Sequence, residues 1–207
     1  MDSNSTNKGI LLLSGGFDSA VAGWLTLQEG SELIALHFSL EPLTDNSPEL
    51  KSRKLAEKLG IMEFHTVKIG KVLEKFAKTA NHKYYFVFMK RLMLRFAESL
   101  AKKSGAEFIL TGENLGQVSS QTLSNLSTID KVTKLPVLRP LLSFEKQDII
   151  DLAKKIGTHD ISIGPEMCDA LGPKLPATIS SVQKISEEES KLELEKIIKE
   201  LGEESFS

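Results

Sequence analysis

Ile10-Leu11-Leu12-Leu13-Ser14-Gly15-Gly16-Phe17-Asp18-Ser19 is the stretch on which the reading of the whole chain turns. Four consecutive apolar residues fit a parallel strand buried on both faces. The pattern breaks at two glycines, and from Asp18 onward Val21, Trp24, Leu25 and Leu27 recur at helical spacing until Gly30 can end the helix. Strand, glycine turn and helix therefore follow in order. In the turn, Gly15 and Gly16 lack the Cβ atoms that would hold an anion away from the backbone amides, and the helix behind it points its positive end at the same place. Ser14 and Ser19 add hydroxyl donors, while Asp18 beside a polyphosphate is suited to hold Mg2+. The turn reads as a pyrophosphate cradle. It is neither a Walker A loop, since no Gly-Lys-Ser/Thr follows, nor a dinucleotide fingerprint, since the third glycine is missing, so γ-phosphate transfer is disfavoured.

Outward from the turn the alternation repeats. Residues 33–38 read as a strand, 49–59 as a helix closed by Gly60, 64–69 as a strand, 84–103 as a long helix, 108–111 as a strand ended by Gly112, and 136–138 as a short strand bounded by prolines. Strands alternating with helices imply parallel βαβ units, hence an α/β fold with a doubly wound parallel sheet. Ser143 is the expected N-cap of a helix carrying Ile149, Ile150, Leu152, Ala153 and Ile156 and stopped by Gly157. Residues 161–178 hold three prolines, two glycines and little periodicity, which predicts a loop. Residues 179–201 read as one charged helix docking through Val182, Ile185, Leu192, Ile197 and Leu201. The expected division is a nucleotide-binding unit at 1–178 and a helical extension at 179–207 packed on the same domain.

Bulk properties narrow the class. A chain of 207 residues can bury about 70% of its unfolded surface, enough for one complete core. Hydrophobic residues make up 41% and charged ones 26%, ordinary for a globular protein. No apolar run approaches the ~20 residues that span a bilayer and no secretory signal precedes the first strand, so no membrane association and a cytoplasmic location are expected. The single cysteine, Cys168, excludes an internal disulfide and a Cys-x-x-Cys metal pair. His65, His82 and His159 have no metal-ligand spacing. A net charge of −2 is not that of a protein binding RNA by overall electrostatics.

The stretch Ser14 to Ser19 resembles the signature of the PP-loop ATP pyrophosphatases, which cleave ATP between the α and β phosphates and adenylate their substrates. Lys90-Arg91-Leu92-Met93-Leu94-Arg95, the run from Leu110-Thr111-Gly112-Glu113-Asn114 to Gln121-Thr122-Leu123, and Leu138-Arg139-Pro140-Leu141 are similar to the tRNA 4-thiouridine synthetases. This resemblance extends across nearly the whole chain and implies an adenine nucleotide alpha hydrolase-like three-layer sandwich using ATP and Mg2+. In that family the enzyme adenylates uridine 8 of tRNA, and a persulfide sulfur displaces AMP to give 4-thiouridine. Cys168 resembles the catalytic cysteine, through Glu166-Met167-Cys168 followed by Pro173-Lys174 and Pro176-Ala177-Thr178. The resemblance implies Asp18 as the second catalytic residue and holder of Mg2+. It also implies ATP contacts at Leu12, Leu13, Ser14, Gly15, Gly16, Phe17, Asp18, Ser19, His37, Phe38, Lys90, Gly112 and Gln121. Several of these stand at the carboxyl ends of predicted strands, where ligands bind in open α/β sheets.

Plainer readings compete with these. A lone cysteine is most often an inert buried residue, although Cys168 sits among Pro, Gly, Asp and Lys rather than in an apolar run. Glu166 and Asp169 disfavour its thiolate. Spacing alone makes Lys90, Arg91 and Arg95 an exposed helix face, while the resemblance favours Lys90 as a nucleotide contact. Gln121 is the favoured contact within the polar stretch Gln117, Ser119, Ser120, Gln121 and Asn125. The chain departs from the full family pattern, with no room for THUMP and ferredoxin-like domains or for a rhodanese domain. A separate THUMP-type RNA-binding protein and a cysteine desulfurase or rhodanese-type sulfur donor are therefore the expected partners beside tRNA, and a homodimer fits the family. Two other functions stay open: an AMP-forming PP-loop ligase for another base or a small molecule, and a non-catalytic adenine nucleotide-binding module, against which the intact Asp18 motif counts.

Overall fold

Alternate side chains of β1 (Lys8–Leu12) leave the sheet on opposite faces, and both sets are buried, which requires helices on both sides. A computed structural model describes residues 7–115, 121–163 and 171–206. In it β1 is followed by α1 (Phe17–Gln28), β2 (Glu32–Ser39), α2 (Ser47–Leu59), β3 (Phe64–Lys68), α3 (Gly70–Thr79), α4 (Tyr85–Ser104) and β4 (Phe108–Leu110). Then come α5 (Leu123–Asp130), β5 (Val137–Leu138), α6 (Lys146–Lys155), α7 (His159–Ser162), α8 (Val182–Glu189) and α9 (Leu194–Ser205). The strands pair in parallel in the order β3-β2-β1-β4-β5. The doubly wound sheet expected from the sequence is present.

Strand periodicity sorts the core into two layers. Ile10, Ile34, Leu36, Val67 and Ile109 join Phe76, Phe88, Leu92 and Phe96 from α3 and α4 on one face. Leu11, Leu13, Leu33, Ala35 and Leu110 join Ala20, Leu55 and Ala56 from α1 and α2 on the other. Helix α1 packs through small residues, with Ser19, Ala20, Val21, Ala22, Gly23 and Thr26 buried, whereas Trp24, Leu25 and Leu27 are only half-buried. Among the described residues no helix is long and apolar enough to cross a membrane.

Three local expectations are corrected. The cap of α6 is Glu145, two residues after Ser143, because Phe144 first turns back to donate its amide to the Leu141 carbonyl. Residues 179–201 are not one helix. The chain breaks after α8, where Leu192 turns into the core, and restarts as α9, while Val182 stays 43% exposed instead of docking. Finally, Arg91 does not lie on an exposed helix face. It is 3% exposed, and Arg91 Nε and Nη2 donate to the Glu189 carboxylate at 2.7 and 2.9 Å. Arg95 donates to the same carboxylate at 2.9 and 2.7 Å. Arg91 Nη1 donates to the Thr128 carbonyl at 2.7 Å, so the Glu189 carboxylate ties α8 to α4 and the Arg91 guanidinium ties α4 to α5.

Burial alone would raise the Glu189 pKa, but the two guanidiniums outweigh it and hold the carboxyl below its ordinary value. A lowered folded pKa contributes stability at neutral pH, and that contribution is lost as pH falls through the folded value. Glu189→Gln, which strips the buried Arg91 of its charge partner, is expected to cost about 3 kcal/mol at pH 7 in urea unfolding. The gap to wild type should narrow as pH drops below the ordinary glutamate range.

Candidate active site

Strands β1 and β4 are neighbours, yet the chain winds away from them in opposite directions, opening a crevice at their carboxyl ends. The crevice encloses about 570 Å³. Its floor is the turn after β1. Gly15 adopts φ +87°, and a Cβ there would stand 3.1 Å from the Pro48 carbonyl oxygen and 3.3 Å from Ser52 Oγ. The turn is braced internally, with Ser19 Oγ donating to the Gly16 carbonyl at 3.0 Å and the Ser14 amide donating to Ser19 Oγ at 3.2 Å. Gly16 caps α1 with no side-chain bond, which leaves the first-turn amides without a side-chain acceptor. A bound anion is the natural complement of such a turn.

Leu12, Leu13, Ser14, Gly15, Gly16, Asp18, Ser19, His37, Phe38, Lys90, Gly112 and Gln121 all line this crevice. Phe17 does not. It is the first residue of α1, and its ring turns away to stack on His159 at 6.3 Å, with Lys146 Nζ 4.5 Å above it. Cys168 lies outside the described residues, as do Gln117, Ser119 and Ser120. The chain on either side of Cys168 nevertheless reaches the crevice, through Ser162 before it and Gly172 and Pro173 after it.

Two charge arrangements flank the floor. Glu113, 4% exposed, accepts from Arg139 Nε at 2.8 Å and Thr111 Oγ1 at 3.1 Å, and its other oxygen faces Lys90 Nζ at 3.4 Å. Burial works against its charge, but Lys90 and Arg139 more than offset this and hold the carboxyl below its ordinary value. Arg139 is itself fixed by Asp130 of α5 at 2.6 and 2.9 Å. On the opposite side, Lys146 Nζ donates to Asp18 at 3.0 and 3.2 Å. Neither Glu113 nor Lys146 is prominent in the sequence. One signal does exist for Lys146: a cation in the first turn of a helix opposes the helix dipole, which implies another task.

His37 is buried at the end of β2. Its Nδ1 lies 2.9 Å from the Leu13 carbonyl and 2.9 Å from Ser52 Oγ, so the ring carries its proton on Nδ1. Burial pushes its pKa down and keeps the ring neutral, and Nε2 has no hydrogen-bond partner. Among the described residues no group of three or more His, Cys, Asp or Glu could hold a metal.

Comparison with known proteins places this geometry. The family model described as thiamine biosynthesis protein (ThiI) matches residues 4–194. A probable tRNA sulfurtransferase from Moorella thermoacetica is 39% identical over 201 residues, covering 94% of this chain and 52% of that protein. One from Halothermothrix orenii is 40% identical over 197 residues, covering 92% and 50%. Among solved structures, a 4-thiouridine synthetase–RNA complex with bound ATP superposes with a TM-score of 0.91 at 38% identity, over 96% of this chain and 54% of that one. An NMN synthetase from Francisella tularensis, 17% identical with a TM-score of 0.60, shares the fold. The chain spans about half the length of the curated relatives it matches.

Gly112 is the point where β4 meets α1. A Cβ there would lie 2.5 Å from the Ser19 amide nitrogen and 2.6 Å from the Asp18 carbonyl carbon, both immovable backbone. Gly112→Ala is expected to cost about 2 kcal/mol in chemical denaturation, by forcing the first turn of α1 off the strand. A loss below a few tenths of that would mean the contact is soft.

Proposed function

The chain belongs to the thiamine biosynthesis protein (ThiI) family, and from that membership we propose that it is the catalytic part of an ATP-dependent tRNA sulfurtransferase. It adenylates uridine 8 of tRNA and passes persulfide sulfur to that base to give 4-thiouridine. One observation carries the reading most: the glycine turn, Lys90, His37, Gln121 and both ends of the Cys168 segment border a single crevice.

The residues divide the work. The uridine O4 attacks the α-phosphate of ATP, and pyrophosphate leaves into the turn of Ser14, Gly15, Gly16 and Ser19, whose amides and hydroxyls offset its charge. Lys90, held toward the crevice by Glu113, adds a cation on the α4 side. Main-chain groups of Leu12, Leu13, Phe38 and Gly112 read the nucleotide at the strand ends, beside neutral His37 and Gln121. The terminal sulfur of a Cys168 persulfide then attacks C4, and the C4–O bond breaks to release AMP. A second thiol or reductant splits the S–S bond and leaves sulfur on the base. Adenylation converts a poor leaving oxygen into a good one, which is why sulfur insertion consumes ATP.

Asp18 fits Mg2+, because this hard cation accepts one or two protein carboxylates and takes its other ligands from phosphate and water. When bound, Mg2+ neutralises charge developing on the phosphates. Asp18 would hold the ion beside Lys146, with which its carboxylate is paired.

tRNA is the substrate partner in this reading. A separate THUMP-type protein supplies RNA affinity, a cysteine desulfurase or rhodanese-type protein loads Cys168, the protein is cytoplasmic, and a homodimer is compatible with the arrangement.

The test measures pyrophosphate release and radiolabelled sulfur incorporation with Mg-ATP, unmodified tRNA, a cysteine desulfurase and a THUMP-type protein. Cys168→Ala is expected to retain pyrophosphate release and lose sulfur incorporation. Asp18→Asn is expected to slow both by about a hundredfold. Pyrophosphate release without thiolation, with the partner bound, would instead indicate a ligase for another substrate. ATP binding with no release would indicate a non-catalytic module.

A further inference from the structure

Residues 171–180 contain neither helix nor strand, yet they form one wall of the crevice through Gly172, Pro173, Lys174 and Pro176. A segment without regular structure must satisfy its backbone polar groups elsewhere. His82 Nε2 lies 2.6 Å from the Leu171 carbonyl and the Ala177 amide donates to the Lys83 carbonyl at 2.9 Å, while the remaining partners come from one edge of α5 and its cap. Asn125 Nδ2 donates to the Ala177 carbonyl at 2.8 Å, and Thr122 Oγ1 to the Thr178 carbonyl at 2.7 Å. Ser124 Oγ and Thr128 Oγ1 both donate to the Ser180 carbonyl, at 3.1 and 3.2 Å. The Ser180 amide returns a bond to Ser124 Oγ at 3.3 Å.

Three features make this more than the satisfaction of a surface loop. Asn125 is fully buried and Thr128 is 4% exposed, so the helix forgoes apolar burial at these positions. Bonds to the carbonyls of Ala177, Thr178 and Ser180 fix the register of the segment, which apolar packing would leave free to slide. Finally, α5 also borders the crevice, with Gln121 one residue before its cap and Ile129 near its end both in the lining. One short helix thus touches the nucleotide cleft and grips the strap that begins three residues after Cys168.

We infer that the polar edge of α5, with Asn125 at its centre, is the positioning element that docks the strap so that the thiol-bearing segment delivers sulfur to the adenylated base. The inference rests on the sulfurtransferase reading and deepens it. Asn125 is a positioning residue for the transfer step, in which C4–S forms and C4–O breaks with AMP leaving. It takes no part in adenylation.

The experiment compares wild type with Asn125→Leu, which removes the donor at similar size without adding a charge, and with Thr128→Val, which removes one hydroxyl without changing shape. Hydrogen exchange over residues 177–181 is measured on the whole protein, beside single-turnover pyrophosphate release and sulfur transfer in the assay described above. One lost bond to a carbonyl corresponds to about a tenfold change in local opening. Exchange is therefore expected to quicken about tenfold and sulfur transfer to slow by a similar factor, with pyrophosphate release within about twofold of wild type. Unchanged exchange in both variants overturns the docking role. Faster exchange with unchanged transfer, or both half-reactions slowed equally, overturns the positioning role. Wild-type protein that releases pyrophosphate but transfers no sulfur sinks the functional reading itself, while the exchange measurement still decides whether α5 holds the strap.

Discussion

The whole site depends on a backbone contact that no side chain could survive. Where β4 ends, Gly112 presses against the amide of Ser19 and the carbonyl carbon of Asp18, and this closeness brings the switch point of the sheet directly under the N-terminus of α1. The turn after β1 is held from the other side by α2, through Pro48 and Ser52, and Ser52 shares the Leu13 carbonyl with His37. A loop clamped on both sides presents its amides in one arrangement before any ligand arrives. Preorganised donors of this kind stabilise developing charge without reorganising at the moment of reaction.

Around that fixed floor, buried charge is organised in chains rather than pairs. Asp130 holds Arg139, Arg139 holds Glu113, and Glu113 faces Lys90 across the crevice wall. Breaking such a chain at any buried member leaves an uncompensated charge, so its geometry is enforced by the cost of alternatives more than by the net strength of the bonds. A second chain, Arg91 and Arg95 on Glu189, locks α8 to the opposite side of the same helix. Helix α4 therefore carries a cation for the crevice at Lys90 and structural cations one and five residues later.

That last contrast explains how much of the molecule was legible in its sequence. The strand, glycine turn and helix at 10–28 stood out because hydrophobic periodicity changes abruptly there, and the alternation of strands and helices gave the parallel sheet. Lys90 and Arg91 are adjacent cations on one helix, and only the fold separates them, since Glu189 lies 98 positions away in the chain. The break between α8 and α9 has no proline or glycine to announce it; burial of Leu192 decides it. Of helix α5 only Asn125 stood out in the sequence, within a polar stretch, because the helix's hydroxyls and amide serve the backbone of a distant strap, a demand local propensity cannot encode.

The two walls of the crevice are therefore built to different standards of rigidity. The floor and the α1 side are fixed by backbone contacts and buried strands, whereas the strap is fastened mainly by side chains to carbonyls, each bond worth about 1 kcal/mol net. Local opening draws on elements fastened in the second way, while the core stays closed. In the proposed reaction, the fixed cradle suits the phosphates and the strap carries the segment that bears Cys168. The docking of its carbonyls on α5 gives that strap a defined register.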